Sequence, residues 1–209
     1  MTIKIVDITE KNFPNLPRPA NKRFNCQECF YWMGKRDGRT DLVKQKKNWF
    51  IRRGQKYGGS LGKILLWGKR ENPVGFIQYG PVAEFQTARL FYKTVELHPE
   101  KSTSPGKRYL LIPKGAWCIT CVAIQAGFRH KGLATRLVRQ TLRDLKRRGV
   151  KSVDAYPLRR VNSWNQVSVG PNGLWQKCGF KEVARIKYIK GEPVPRAGEK
   201  EVILMRKKW

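Results

Sequence analysis

Hydrophobic and polar residues alternate over residues 2–8, which predicts a first strand. Residues 12–23 are rich in Pro and Asn and predict a loop or an irregular helix start. Asp41 then stands as a capping residue before Leu42, Val43, Trp49 and Phe50, which fall at helical spacing with Gly54 near their end. Two strand-like runs, 63–67 and 74–79, flank Glu71-Asn72-Pro73 and predict a hairpin. Residues 82–113 carry Pro99, Pro105 and Pro113 and read as a long irregular excursion. Residues 117–124 are apolar on both faces, the pattern of a buried central strand. Leu133, Leu137, Val138, Leu142 and Leu145 form the apolar stripe of an amphipathic helix from Gly132 to about Arg148, closed by Gly149. Residues 150–156 predict a strand stopped by Pro157, and Pro171 opens a short helix ending at Cys178. Residues 182–189 and 201–206 predict a closing pair of strands. The order is mixed α/β, with a strand–helix–strand unit at its centre, and it fits one domain over residues 1–209.

Charge adds a class of partner to this outline. Lys and Arg total 44 against 15 acids, a formal charge of +29. Such a field draws polyanions, so nucleic acid, an anionic surface or a phosphorylated cofactor are candidate partners. It does not bear on fold. No apolar run is long enough to span a bilayer, and the first residues lack a signal-peptide core, which suggests a cytoplasmic protein. The five cysteines include two C-x-x-C pairs, Cys26/Cys29 and Cys118/Cys121. A four-cysteine zinc site is therefore one reading. Against it, Cys118 and Cys121 are three apart on a strand and are expected on opposite faces, which favours packing over metal binding. No metal site is expected.

The segment that carries chemistry is Phe128-Arg129-His130-Lys131-Gly132-Leu133-Ala134-Thr135, between the buried strand and the amphipathic helix. Unpaired N–H groups and the positive end of the helix dipole make such a turn a ready pyrophosphate cradle. Gly132 and Ala134 let phosphate oxygens approach the backbone, and Arg129 and Lys131 add charge. Neither a Walker loop nor G-x-G-x-x-G is present, and the glycines of 58–62 precede a strand, not a helix.

R-x-x-G-x-A on Arg129, Gly132 and Ala134, after a hydrophobic strand and opening an amphipathic helix, resembles motif A of the GNAT N-acetyltransferases. Val153-Asp154-Ala155-Tyr156-Pro157 falls where the family's fifth strand lies. Gly173-Leu174-Trp175-Gln176-Lys177-Cys178-Gly179-Phe180 resembles its closing helix and Gly-Phe turn. The resemblance spans nearly the whole chain and is most specific over residues 117–180.

It implies a mostly antiparallel sheet whose fourth and fifth strands splay, with acetyl-CoA between them as acetyl donor. Residues 117–180 would form the coenzyme A core and residues 1–116 the acceptor side. Val122, Ala123 and Ile124 would pair with pantetheine amides, and Arg129, His130, Lys131, Gly132, Leu133, Ala134 and Thr135 would hold the pyrophosphate. The acceptor would be a primary amine, which must lose a proton before attack. Asp154 is the first candidate base; the alternative is a structural acid paired with a cation. Glu84 and Glu28 are more distant candidates. Trp175 occupies the position where the family often carries a Tyr that protonates the leaving thiolate, and indole cannot do this. Tyr156, which shares a strand face with Asp154, is the substitute. Two other functions stand beside acetyl transfer: a non-catalytic acetyl-CoA-sensing or RNA-associated module, and a zinc-stapled nucleic-acid binder. The acceptor and the oligomeric state are not encoded in any motif.

Overall fold

The computed structural model describes residues 2–17, 26–33, 41–93, 112–157, 170–187 and 201–209. Its strands are β1 (Ile3–Asp7), β2 (Gly62–Trp67), β3 (Asn72–Pro81), β4 (Trp117–Ile124), β5 (Ser152–Ala155), β6 (Lys181–Lys187) and β7 (Glu201–Lys208). They form one sheet in the order β1-β2-β3-β4-β5-β7-β6. Each pairing is antiparallel except that of β4 with β5. A parallel neighbour needs a crossover, and α3 (Leu133–Arg147) supplies it. The other helices are α1 (Leu42–Lys56), α2 (Gln86–Lys93) and α4 (Asn172–Lys177). This is the mixed order that the patterning predicts and the mostly antiparallel sheet that the resemblance implies. Among the described residues no helix is long and apolar enough to cross a membrane.

The helices cover the sheet on both faces. On one, the α3 stripe buries Leu137, Val138 and Leu145 against Tyr79, Ile119 and Val153, with Trp175 and Phe180 from the α4 region completing the core. On the other, Phe50 of α1 packs with Ile64 and Phe76, while Phe85, Phe91 and Tyr92 around α2 pack with Cys118 and Leu204. Both long helices end as their sequences predict. Asp41 accepts hydrogen bonds from the Val43 and Lys44 N–H groups at 2.9 and 3.2 Å, capping α1. Gly149, at φ +76°, lets the chain leave α3, with its N–H bonded to Lys146 O and that of Val150 to Leu145 O.

Two features differ from the sequence expectation. Part of the 82–113 excursion is ordered as α2, where Ala88, Phe91 and Tyr92 fall at helical spacing and are buried. Residues 94–111 lie outside the described residues, as does the end of the strand predicted over 182–189. The second difference is in β4. Gln78 of β3 pairs with Cys121, but the next residue, Tyr79, pairs with Ile119, so Thr120 is an extra residue, a β-bulge. The bulge restores the face that a three-residue separation would reverse. Cys118 and Cys121 therefore lie opposite Gly80 and Gln78, two apart on β3, and share the α1/α2 face.

The bulge is held by a buried pair. Gln78 Nε2 donates to Thr120 Oγ1 at 3.1 Å, and the two residues are 2% and 0% exposed. Removing one partner strands a buried amide, a cost of about 1–3 kcal/mol. Thr120→Val should lose stability of that order in urea unfolding. Adding Gln78→Leu should then cost less than the two single losses summed, the coupling expected of groups in direct contact.

Candidate active site

β4 and β5 are in register only at Trp117↔Val153, Cys118↔Asp154 and Ile119↔Ala155. Pairing stops at the bulge, and β4 runs on through Ile124 without a described neighbour on that side. The Gln125 N–H bonds Val74 O at 2.9 Å, and Phe76 pairs with Ala123. By strand alternation the backbone groups of Ala123 go to β3, while those of Val122 and Ile124 face the open edge. Of the three backbone positions expected there, Val122 turns both its groups to the open edge, Ile124 turns its N–H there while its carbonyl accepts from Arg129, and Ala123 is committed to the sheet.

At the end of β4 the chain makes a 3-10 turn, Ala126–Phe128, and enters α3 through two left-handed residues, His130 (φ +60°) and Gly132 (φ +72°). Phe128 anchors the turn by packing on Trp67 at 5.7 Å, and Lys131 Nζ sits over both rings at 5.5 and 5.7 Å. The Arg129 Nε donates to Ile124 O at 3.1 Å, tying the loop to the outward edge of β4. Gly132 is the N-cap residue and offers no side chain; a Cβ built there meets nothing within 4 Å. The first helical hydrogen bond is Arg136 N–H to Gly132 O, so the N–H groups of Leu133, Ala134 and Thr135 have no partner within α3, and no acid lies in its first turn. Open strand edge, left-handed turn and uncapped helix start are contiguous. The geometry is that of a cradle for a phosphorylated chain, with room in front of Gly132 and donors behind it.

Asp154 and Tyr156 both lie on the α2 face, as their spacing requires, and both are buried. Asp154 is 0% exposed. The Arg206 guanidinium grips both its oxygens, Nε to Oδ1 at 2.6 Å and a terminal nitrogen to Oδ2 at 2.9 Å, and the Tyr92 hydroxyl donates to Oδ2. Both carboxylate oxygens are thus engaged by a cation and a hydroxyl. Neither Tyr92 nor Arg206 was legible as a partner: Arg206 is opposite Asp154 across β5 and β7, a cross-strand charge pair that requires the pairing to be known. Tyr156 stacks on Trp32 at 5.5 Å, and its hydroxyl is buried without a hydrogen-bond partner. Burial pushes its pKa well up, with Cys118, Tyr92 and Asp154 adding to the shift, so it remains a protonated phenol.

The other candidates are spread out. Glu28 is exposed on the turn at 26–28. Trp175 is 1% exposed and packs edge-on against Phe180 at 5.1 Å, part of the α3 core. Among the described residues no three of the His, Cys, Asp or Glu side chains are placed to hold a metal ion. Cys26 and Cys29 instead offer their carbonyls to the buried Lys46, whose pKa burial lowers while the nearby Cys29, Cys26 and Cys121 act to raise it.

A sheet whose fourth and fifth strands part beside an open, uncapped helix entry, with α3 as the crossover, is the architecture that the family resemblance implies. The sequence model of the acetyltransferase (GNAT) family matches residues 7–180, and the chain belongs to that family. It is an acyltransferase of the N-acetyltransferase type. No curated protein matches the sequence. Solved structures share the fold at low identity. A ribosomal-protein-alanine N-acetyltransferase from Brucella melitensis is 16% identical, with a TM-score of 0.55 over 99% of this chain and 99% of that one. The yncA protein of Salmonella typhimurium, solved with its cofactor acetyl-CoA, is 13% identical, with a TM-score of 0.57 over 100% and 94%. A chain of the NatC complex bound to Gag peptide and CoA is 13% identical, with a TM-score of 0.53 over 100% and 99%.

Glu84 is held by three donors, Arg53 Nε at 2.9 Å, Lys56 Nζ at 3.0 Å and the Tyr57 hydroxyl. Burial acts to raise its pKa, but the bonds from Tyr57 and Lys56 and the charge of Arg53 outweigh it and hold the carboxyl below its usual value. The stability Glu84 contributes is therefore complete above the unfolded-state pKa and lost as pH falls through the lower folded one. Thermal melts of Glu84→Gln should show lower stability at neutral pH and a flatter fall on the acid side than the parent.

Proposed function

We propose that this chain transfers the acetyl group of acetyl-CoA to a primary amine, with residues 117–180 holding the donor and residues 1–116 shaping the acceptor side. The observation that carries this is the open edge of β4 running directly into the uncapped, left-handed entry to α3. Acetyl-CoA supplies an activated acetyl thioester whose sulfur leaves readily. The N–H groups of Leu133, Ala134 and Thr135, with the positive end of α3, hold the pyrophosphate, Arg129 and Lys131 add positive charge, and His130 lies in the same turn. Outward groups of Val122 and Ile124 take the pantetheine amides, and one of these N–H groups stabilises negative charge developing on the carbonyl oxygen. Ala123 supports them through its bonds to β3.

The amine nitrogen forms a bond to the acetyl carbon as the bond to sulfur breaks. The nitrogen gives up one proton to water, the leaving sulfur takes one from Tyr156, and water returns a proton to that phenol. Tyr156 is the proton donor in this reading: it is a protonated phenol lacking a hydrogen-bond partner, one residue past the end of β5. Asp154 is a positioning residue. Its oxygens are engaged by Arg206 and Tyr92, so it orients the Tyr92 hydroxyl beside Tyr156 and does not itself meet the amine. A non-catalytic acetyl-CoA-binding module is the second reading, favoured by the burial of Trp175 where the family often carries an acid.

Calorimetry with acetyl-CoA should give binding that is lost in Gly132→Glu, which fills the open space before the helix with negative charge. Equal binding by that variant would sink the pyrophosphate assignment. A thiol-release assay over a panel of amines separates catalysis from sensing, since the second reading predicts binding without release. With an active amine, Tyr156→Phe should lower kcat about 10–100-fold and leave acetyl-CoA affinity unchanged.

A further inference from the structure

At the end of β4 opposite the phosphate cradle lies a cavity of about 430 Å³, lined among others by Tyr57, Lys114, Trp117, Arg148 and Lys151. None of the described residues that line it is acidic. Its walls are planar groups. The Arg148 guanidinium lies 4.7 Å from the centre of the Trp117 ring, and the Tyr57 ring meets Trp117 edge-on at 6.0 Å. Arg148 is fixed there because it donates to Tyr57 O at 2.8 Å and Ser60 O at 3.0 Å. Lys114 and Lys151 are exposed, and neither has an acidic partner among the described residues. The basic surface continues past the cavity. Lys146 and Lys208 are exposed, Trp209 is 38% exposed, and the Trp209 N–H bonds Lys151 O at 3.4 Å. The negative end of α3 also points this way. Its last carbonyls are occupied, however, by the N–H groups of Arg148, Gly149 and Val150, which reduces their repulsion of an anion.

We propose that this cavity binds one nucleotide of a single-stranded nucleic acid, its base against the wall that Trp117, Arg148 and Tyr57 form and its flanking phosphates on Lys114 and Lys151. Fixed aromatic and guanidinium planes stack any base, and mobile lysines take phosphates without demanding one geometry. A carboxylate ligand would want the guanidinium fork, which Arg148 has already spent on carbonyls. The run of cations beyond the cavity fits a strand better than a lone nucleotide. This site is separate from the acetyl-CoA reading, because it lies at the other end of β4 and shares no residue with the cradle.

The test is fluorescence anisotropy with a labelled short oligouridylate, competed with uridine monophosphate or with heparin. Lys114→Glu/Lys151→Glu is compared with Lys177→Glu/Lys181→Glu, an equal charge change at exposed positions elsewhere. All four residues are exposed, so melting temperatures should match. The cavity pair should weaken strand binding about tenfold or more and reduce the salt slope by about one to two, with the control pair losing far less. Trp117→Leu should weaken the oligouridylate while leaving heparin binding unchanged. Equal losses in the two lysine pairs would overturn the site in favour of diffuse charge. So would heparin binding that falls in step with oligouridylate binding in Trp117→Leu. Uridine monophosphate binding as tightly as the strand would overturn the nucleic-acid assignment.

Discussion

One extra residue in β4 organises this molecule. Thr120 bulges between Ile119 and Cys121, locked by Gln78 in a dry environment. A bulge bends its strand and increases local twist. Here it coincides with the last residue paired to β5, so the strand leaves its parallel neighbour and the backbone of Val122 and Ile124 is left facing outward. The same insertion keeps Ile119 and Val122 on the α3 side, where both are buried beneath Leu137 and Leu145. Without it, the strand beyond Thr120 would turn its apolar residues to the wrong face. The opening for a cofactor and the integrity of the core are thus two consequences of one irregularity.

The scarcity of acids sets a second constraint. With 15 acidic residues against 44 basic ones, each carboxylate placed inside the fold has cations at hand. Asp154 binds Arg206 across the sheet, Glu84 gathers Arg53 and Lys56 at the edge of α2, and Lys63 lies between Asp7 at 2.5 Å and Asp144 at 2.7 Å. Breaking such a pair leaves an uncompensated buried charge, which costs far more than an exposed pair contributes. Asp154, Glu84 and Asp144 are spent on internal ties, Glu10, Glu71 and Glu182 on pairs at the surface, and Lys146 and Lys151 are left without an acidic partner among the described residues.

Much of the fold was legible because it rests on local rules. The α3 stripe, the Asp41 cap, the Gly149 stop and the hairpin of β2 and β3 follow from side-chain period and turn chemistry along a few residues. The cradle was legible for the same reason: glycine at a left-handed helix entry is a local demand, visible in R-x-x-G-x-A itself. Helix α2 was obscured because the prolines after it dominate the composition of its region, although Ala88, Phe91 and Tyr92 carry the spacing.

Sequence alone determined most of the elements, their order and the glycine-marked entry to α3. The tertiary structure decided what the buried polar groups do. Asp154 reads as a base in one dimension and as the partner of Arg206 and Tyr92 in three, because residues 52 and 62 positions away reach it only once the sheet closes. Cys118 and Cys121 share a face because register, not spacing, fixes where a strand's side chains point. A cavity between the starts of β4 and β5 gathers Tyr57, Lys114 and Lys151 from three distant segments. Periodicity is carried by neighbours in the chain and survives in the sequence. Ion pairing, register and enclosure belong to neighbours in space, and the folded sheet alone brings those together.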